Sequence, residues 1–88
     1  MTVYVGKQFR KHYRYKMSLM IADTLQELMD MVSLIDLDPQ WMQRHRGVPV
    51  YWITKGRKEK AIQAGADEVN ERYIMDRIDD MSKGDLAG

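Results

Sequence analysis

The residues with the clearest chemical potential lie between Gly6 and Met17. Lys7, Arg10, Lys11, Arg14 and Lys16 are interleaved there with Phe9, His12, Tyr13 and Tyr15. Cationic side chains contact phosphates and aromatic rings stack on unpaired bases, so this composition suits a single-strand or RNA-binding arm. It suits equally a solvated loop whose rings plug the edge of a core. A second basic group, Lys55, Arg57, Lys58 and Lys60, crowds the start of a helical segment. The helix dipole is positive there, and each cation costs about 0.3–1 kcal/mol. A bound anion would reverse that penalty; long lysine chains swinging into water would also relieve it. Thr54 and Gly56 allow close backbone approach, although TKGRK lacks the frame of a phosphate-binding P-loop. The candidate anion-contact set is therefore Lys7, Arg10, Lys11, Tyr13, Arg14, Tyr15, Lys55, Arg57 and Lys58.

Other chemistries find little support. His12 and His45 have no metal-ligand spacing, and the chain has no cysteine to assist them. Asp79 and Asp80 are adjacent on a predicted helix, where neighbours point apart, so they make a poor acid/base dyad. Ser18, Ser33 and Ser82 lie outside any nucleophile elbow. No catalytic residue, metal or cofactor is expected. Methionine is abundant, mostly at core-facing positions, where it serves as flexible filler. Met31 and Met81, with Trp41 and Trp52, are candidates for an apolar contact with a protein partner or a second copy.

Eighty-eight residues make one domain with a small core. Residues 1–81 are expected to form it, with 82–88 a frayed tail. The net charge of +1 hides an asymmetry. The first 22 residues carry five cations and no acid, whereas Asp67, Glu68, Glu71, Asp76, Asp79, Asp80 and Asp85 crowd the last quarter. No apolar run approaches the roughly 20 residues that cross a bilayer. The N-terminal charges follow the apolar segment, the reverse of a signal peptide. The absence of cysteine favours the cytoplasm.

The elements that must position these groups are legible in outline. Thr2 to Val5 reads as a strand broken by Gly6, and Lys7 to Lys16 as a loop. Met17 to Ala22 is a second strand. Asp23 is expected to cap the helix that follows, with Gln26 reaching back. Leu25, Leu28, Met29, Val32 and Ile35 share one face of it. Asp38-Pro39 opens a short second helix, after which Trp41 and Met42 pack down. Arg44 to Gly47 is a polar connection. Val48 to Ile53 is a buried strand, with Pro49 confined to its start or to an edge. Thr54 caps a helix to Ala64, and Gly65 supplies a positive φ. Asp67 to Val69 forms a last strand. Asn70 caps a final helix with Ile74, Met75, Ile78 and Met81 on one face. This β-β-α-β-α-β-α order predicts a compact single α/β domain, a small and mostly parallel sheet flanked by helices.

Four segments, MTVYV, Met20 to Leu28 (MIADTLQEL), the Trp41 region and Lys60 to Val69 (KAIQAGADEV), recur here in an order and spacing that resembles the family catalogued as domain of unknown function 4031, found in bacteria and their phages. The resemblance spans roughly Met1 to Ile78. It implies polar, ligand-capable residues at strand ends: an acid where this chain has Gly6, a histidine where it has Leu19, and His-Tyr-Asp where it reads Val50, Tyr51, Trp52. Such a site would be lost here. The expected function is a non-catalytic accessory protein binding an anionic partner, nucleic acid or an acidic protein surface. A protein–protein module or homodimer is the first alternative, and a degenerate or active hydrolase or nucleotide-handling enzyme the second.

Overall fold

β3 (Tyr15–Ala22) is the axis of the molecule. In a computed structural model of the chain, residues 2–7, 9–12 and 15–84 are described, residues 10–12, 15 and 84 by backbone alone. β3 pairs antiparallel with β5 (Val48–Ile53) on one side, Leu19 opposite Trp52. On its other side it pairs with β1 (Val3–Gly6), Tyr4 opposite Ile21. β2 (Arg10–His12) lies along the same side, Arg10 opposite Met17. Val5 and Arg10 are five positions apart in the chain but their partners Met20 and Met17 only three, so the registers of β1 and β2 against β3 differ by two residues. β4 (Gln43–His45) and β6 (Asp67–Val69) form the two edges, giving the order β4-β5-β3-β1-β6.

Side chains alternate across the sheet with period two. Val3, Val5, Met20, Ala22, Tyr51 and Ile53 face α1 (Leu25–Leu34) and α2 (Lys55–Gln63), meeting Leu28, Met31, Val32 and Ala61. Leu19, Ile21, Val48 and Val50 face α3 (Glu71–Gly84), meeting Ile74 and Ile78. The architecture is three layers of one compact domain. No helix among the described residues is long and apolar enough to cross a membrane. α3 continues through Ser82 and Lys83, into the expected tail, and residues 85–88 lie outside the described residues.

The expectation of a mostly parallel sheet is overturned. β1 with β6 is the single parallel pair among the described residues; the other four pairings are antiparallel. Two hairpins account for the difference. The supposed loop from Lys7 to Lys16 contains β2 and the start of β3, which turns β3 antiparallel beside β1. The supposed connection Arg44 to Gly47 contains β4 and a tight turn with Arg46 at φ 55° and Gly47 at φ 82°. Positive φ at both central residues is the type I′ geometry that matches strand twist. That turn makes His45 and Val48 a hydrogen-bonded pair and leaves Arg44 and Pro49 as the open pair that follows. The missing proline N–H therefore faces β3 beyond its last pair, Met20 with Tyr51, and costs no ladder bond.

Local details also shift. Thr24, not Asp23, is the N-cap of α1: its hydroxyl accepts from the Glu27 amide at 3.2 Å and donates to Glu27 Oε1 at 2.8 Å. The helix is thus capped one residue later than expected, with the Glu27 carboxylate held by the cap hydroxyl. Leu25 consequently sits on the first turn and is exposed, while Leu28, Val32 and Ile35 are buried. Asp38 caps a 3-10 turn, Pro39–Trp41, as expected, and Met42 packs on the core, but Trp41 stays 56% exposed. Gly65 has φ 111° and Asn70 Oδ1 accepts from the Tyr73 amide, both as expected.

Thr24→Ala removes both bonds to Glu27 and is expected to cost about 1 kcal/mol, read as a lower urea midpoint at unchanged slope. Tyr51 is fully buried, its hydroxyl donating to the Pro39 carbonyl at 2.9 Å. Burial, with Asp38 adding, raises its pKa. The folded chain thus holds this proton more tightly than the unfolded chain. Its contribution is complete below the unfolded value of about 10 and is lost as pH rises through the folded value. Tyr51→Phe is expected to flatten the alkaline limb of the stability–pH curve.

Candidate functional site

β1 and β5 both run antiparallel to β3, and β6 runs parallel to β1, so β1, β5 and β6 all end at one end of the sheet. α2 and α3 begin there, and the β2–β3 hairpin emerges there. Strand C-terminal ends with following helix N-termini are the usual ligand-facing side of an α/β sheet. The two basic stretches, some 45 residues apart in the chain, meet at this end.

Lys58 makes the junction. Only 5% of this residue is exposed. Its Nζ lies 2.8 Å from Glu68 Oε2 on β6, 3.2 Å from the Lys7 carbonyl oxygen, and 4.5 Å from the centroid of the Phe9 ring. One ammonium thus ties α2 to β6 and to the exit of β1. The Lys7 amide adds a 2.7 Å bond to the Val69 carbonyl. A buried ammonium needs such complete pairing, because a lone one would be expelled or neutralised.

The remaining candidates divide. Lys7, Lys16 and Lys55 are exposed. Arg57 is half-buried and donates to the Asp36 carbonyl at 3.1 Å, which turns it toward the end of α1. Arg10 and Lys11 lie in β2 and Tyr15 opens β3, so their backbones join the hairpin. Tyr13 and Arg14 lie outside the described residues. Thr54 occupies the N-cap of α2 but makes no side-chain capping bond, and the first turn carries no acid. Two carboxylates flank the end of β6: Glu68, paired with Lys58, and Glu71, in the first turn of α3.

No group of three or more metal-capable side chains occurs among the described residues. His45 is exposed on the edge strand β4. Arg46 is paired with Asp79 at 2.9 Å. Met31 is buried in the core and Trp52 is half-buried under α3, so neither presents an open apolar surface.

At the opposite end of the sheet is a groove of about 400 Å³, lined by Asp23, Thr24, Leu25, Arg44, Pro49 and Met81 among others. Sequence reasoning missed it, because its walls come from β3, α1, β4, β5 and α3. Beside it Arg77 holds Asp23 at 2.8 Å and stacks over Tyr4 at 5.9 Å. Burial first, then the Asp23 carboxylate, raises the Tyr4 phenol pKa, while the hydrogen bond to Asp23 raises that of Arg77.

The family described as a protein of unknown function (DUF4031) matches residues 3–81. The chain belongs to that family. No curated protein and no solved structure matches it. In this DUF4031 protein, the positions where the resemblance implied ligand-capable groups converge. Leu19 and Trp52 are direct cross-strand partners, and Gly6 follows Val5, which pairs with Met20. Gly6, Leu19 and Trp52 therefore stand in one row on the face toward α3, with Val50 two residues along β5. Leu19 is buried, and Trp52 packs against the same apolar cluster.

Lys58 and Glu68 differ in exposure, 6% against 40% for the side chains, and this sets the order of their substitution costs. Glu68→Ala leaves a buried ammonium without its counter-ion and is expected to cost about 3 kcal/mol. Lys58→Met leaves a carboxylate that water reaches, and is expected to cost less than half as much. Urea denaturation of both variants checks the order; the reverse order would mean the ion pair does not govern this junction.

Proposed function

We propose that this chain is a non-catalytic cytoplasmic accessory domain that binds an anionic partner at the basic end of its sheet, single-stranded nucleic acid being the first candidate. The observation carrying the reading is the seat of Lys58. By holding Lys7 and Phe9 against α2, it joins two basic stretches into one end of the molecule. Lys7, Arg10, Lys11, Arg14, Lys16 and Lys55 supply the positive field, and Tyr13 and Tyr15 the stacking surfaces. Lys58 contributes by position, since its own charge is balanced by Glu68. Arg57 is held by the Asp36 carbonyl and has a lesser share. The apolar row at Gly6, Leu19 and Trp52 supports a binding role over catalysis, because these side chains offer neither proton transfer nor metal ligation.

A second reading, association through apolar surface, draws on Trp41 and Leu34, 56% and 67% exposed. It predicts a mass that rises with concentration in sedimentation.

For the first reading, fluorescence anisotropy with a labelled single-stranded oligonucleotide across salt concentrations is the test. With about four phosphates neutralised, log K against log salt is expected to fall with a slope near −3. Lys7→Gln and Lys55→Gln should each make the slope shallower by about 0.7. Binding indifferent to salt and to both substitutions would rule out this interface. Silence with every nucleic acid would leave an acidic protein surface as the partner.

A further inference from the structure

We propose that the groove at the other end of the sheet binds a small carboxylate borne on an aliphatic body. The groove opens where β3 ends and β5 begins, between the start of α1 and the end of α3. Leu25, Leu28, Val48, Pro49 and Met81 make its apolar wall. Leu25, in the first turn of α1, leaves 52% of its surface in water there and so offers apolar area to a ligand.

The charges around this wall do not cancel. Asp23 is taken by Arg77 at 2.8 Å, and the Thr24 hydroxyl is engaged twice by Glu27. Arg44 donates a single bond, 3.1 Å, to the Gly47 carbonyl, and has no carboxylate partner among the described residues. The unbalanced charge of the lining is therefore positive. A neutral apolar molecule would cover Arg44 without pairing it, and an amine would be repelled. An aliphatic carboxylate satisfies both the wall and the guanidinium, which presents its donors in a planar fork. A volume of about 400 Å³ lies at the lower end of the range for small-molecule pockets and has room for an acid of about six carbons. This site is separate from the basic end and does not depend on its function.

The test is methyl and Arg Nε–H NMR of the full chain titrated with hexanoate, hexan-1-ol and hexylamine. Hexanoate is expected to shift the methyls of Leu25, Leu28, Val48 and Met81 and the Arg44 Nε–H saturably. The alcohol should bind roughly tenfold more weakly, and the amine more weakly still. Arg44→Gln should weaken hexanoate roughly tenfold and leave the alcohol unchanged. Leu25→Gln, at a half-exposed position, should weaken both ligands without lowering the thermal midpoint. Equal binding of acid and alcohol would overturn the proposal. So would hexanoate shifts at Lys7, Lys16 and Lys55 in place of the groove, or no shift at all. Movement of the groove methyls on dilution without ligand would also overturn it, by showing a second copy in the groove.

Discussion

The two-sided burial of β3 is the constraint on which the molecule depends. Its residues from Ser18 to Ala22 are all buried, alternate side chains serving opposite layers of the core. A strand buried on both faces must be paired on both edges as well, since an unpaired backbone amide there would have no water to turn to. β1 and β5 meet that need, and the requirement that both lie antiparallel to β3 fixes the remainder. They then point the same way, their ends coincide, and the helices that follow β5 and β6 start at one end.

From this arrangement the molecule acquires two chemically different ends. One collects exposed lysines beside the hairpin and is locked by the buried ammonium of Lys58. The other gathers apolar side chains from α1, β5 and α3 around Arg44. Neither end belongs to a single segment of sequence. The Lys58 contacts span 51 residues to Lys7, and the groove runs from Ala22 to Met81. The internal ion pairs, Arg77 with Asp23, Arg46 with Asp79 and Lys58 with Glu68, withdraw several charges that in sequence look equally open to a partner. The acidic last quarter is thereby partly neutralised from within, at Glu68 and Asp79.

The ligand-capable positions that the resemblance implied lie on the face under α3. Gly6, Leu19 and Trp52 occupy a single cross-strand row, which is the geometry required of any shared site there. In this chain the row is part of the hydrophobic core. The same position in a fold can hold reactive groups or packing groups, because a site is a matter of side chains laid on a common backbone.

Much of the local structure was legible in the residues themselves. Period-three and period-four apolar spacing marked α1 and α3, the apolar run marked β5, and Gly65 and Asn70 marked helix ends, since these signals act over one or two turns of chain. The same short range explains the misplacement of the α1 cap by one residue, as Asp23 and Thr24 are both good caps and Asp23 is engaged by distant groups, its amide by the Thr2 carbonyl and its carboxylate by Arg77. Strand direction was not legible. A hairpin made of Arg, Lys, His and Tyr has no hydrophobic alternation to announce it, and the edge strand β4 is wholly exposed. The sequence alone thus determined the helices, the apolar strands, the composition of the basic stretches and the family, because those reside in residues close along the chain. Only the tertiary structure decided the mixed sheet, the withdrawal of Lys58 into an ion pair and the existence of the groove. Each of these depends on which distant residues the antiparallel pairing of β3 brings within a few ångströms.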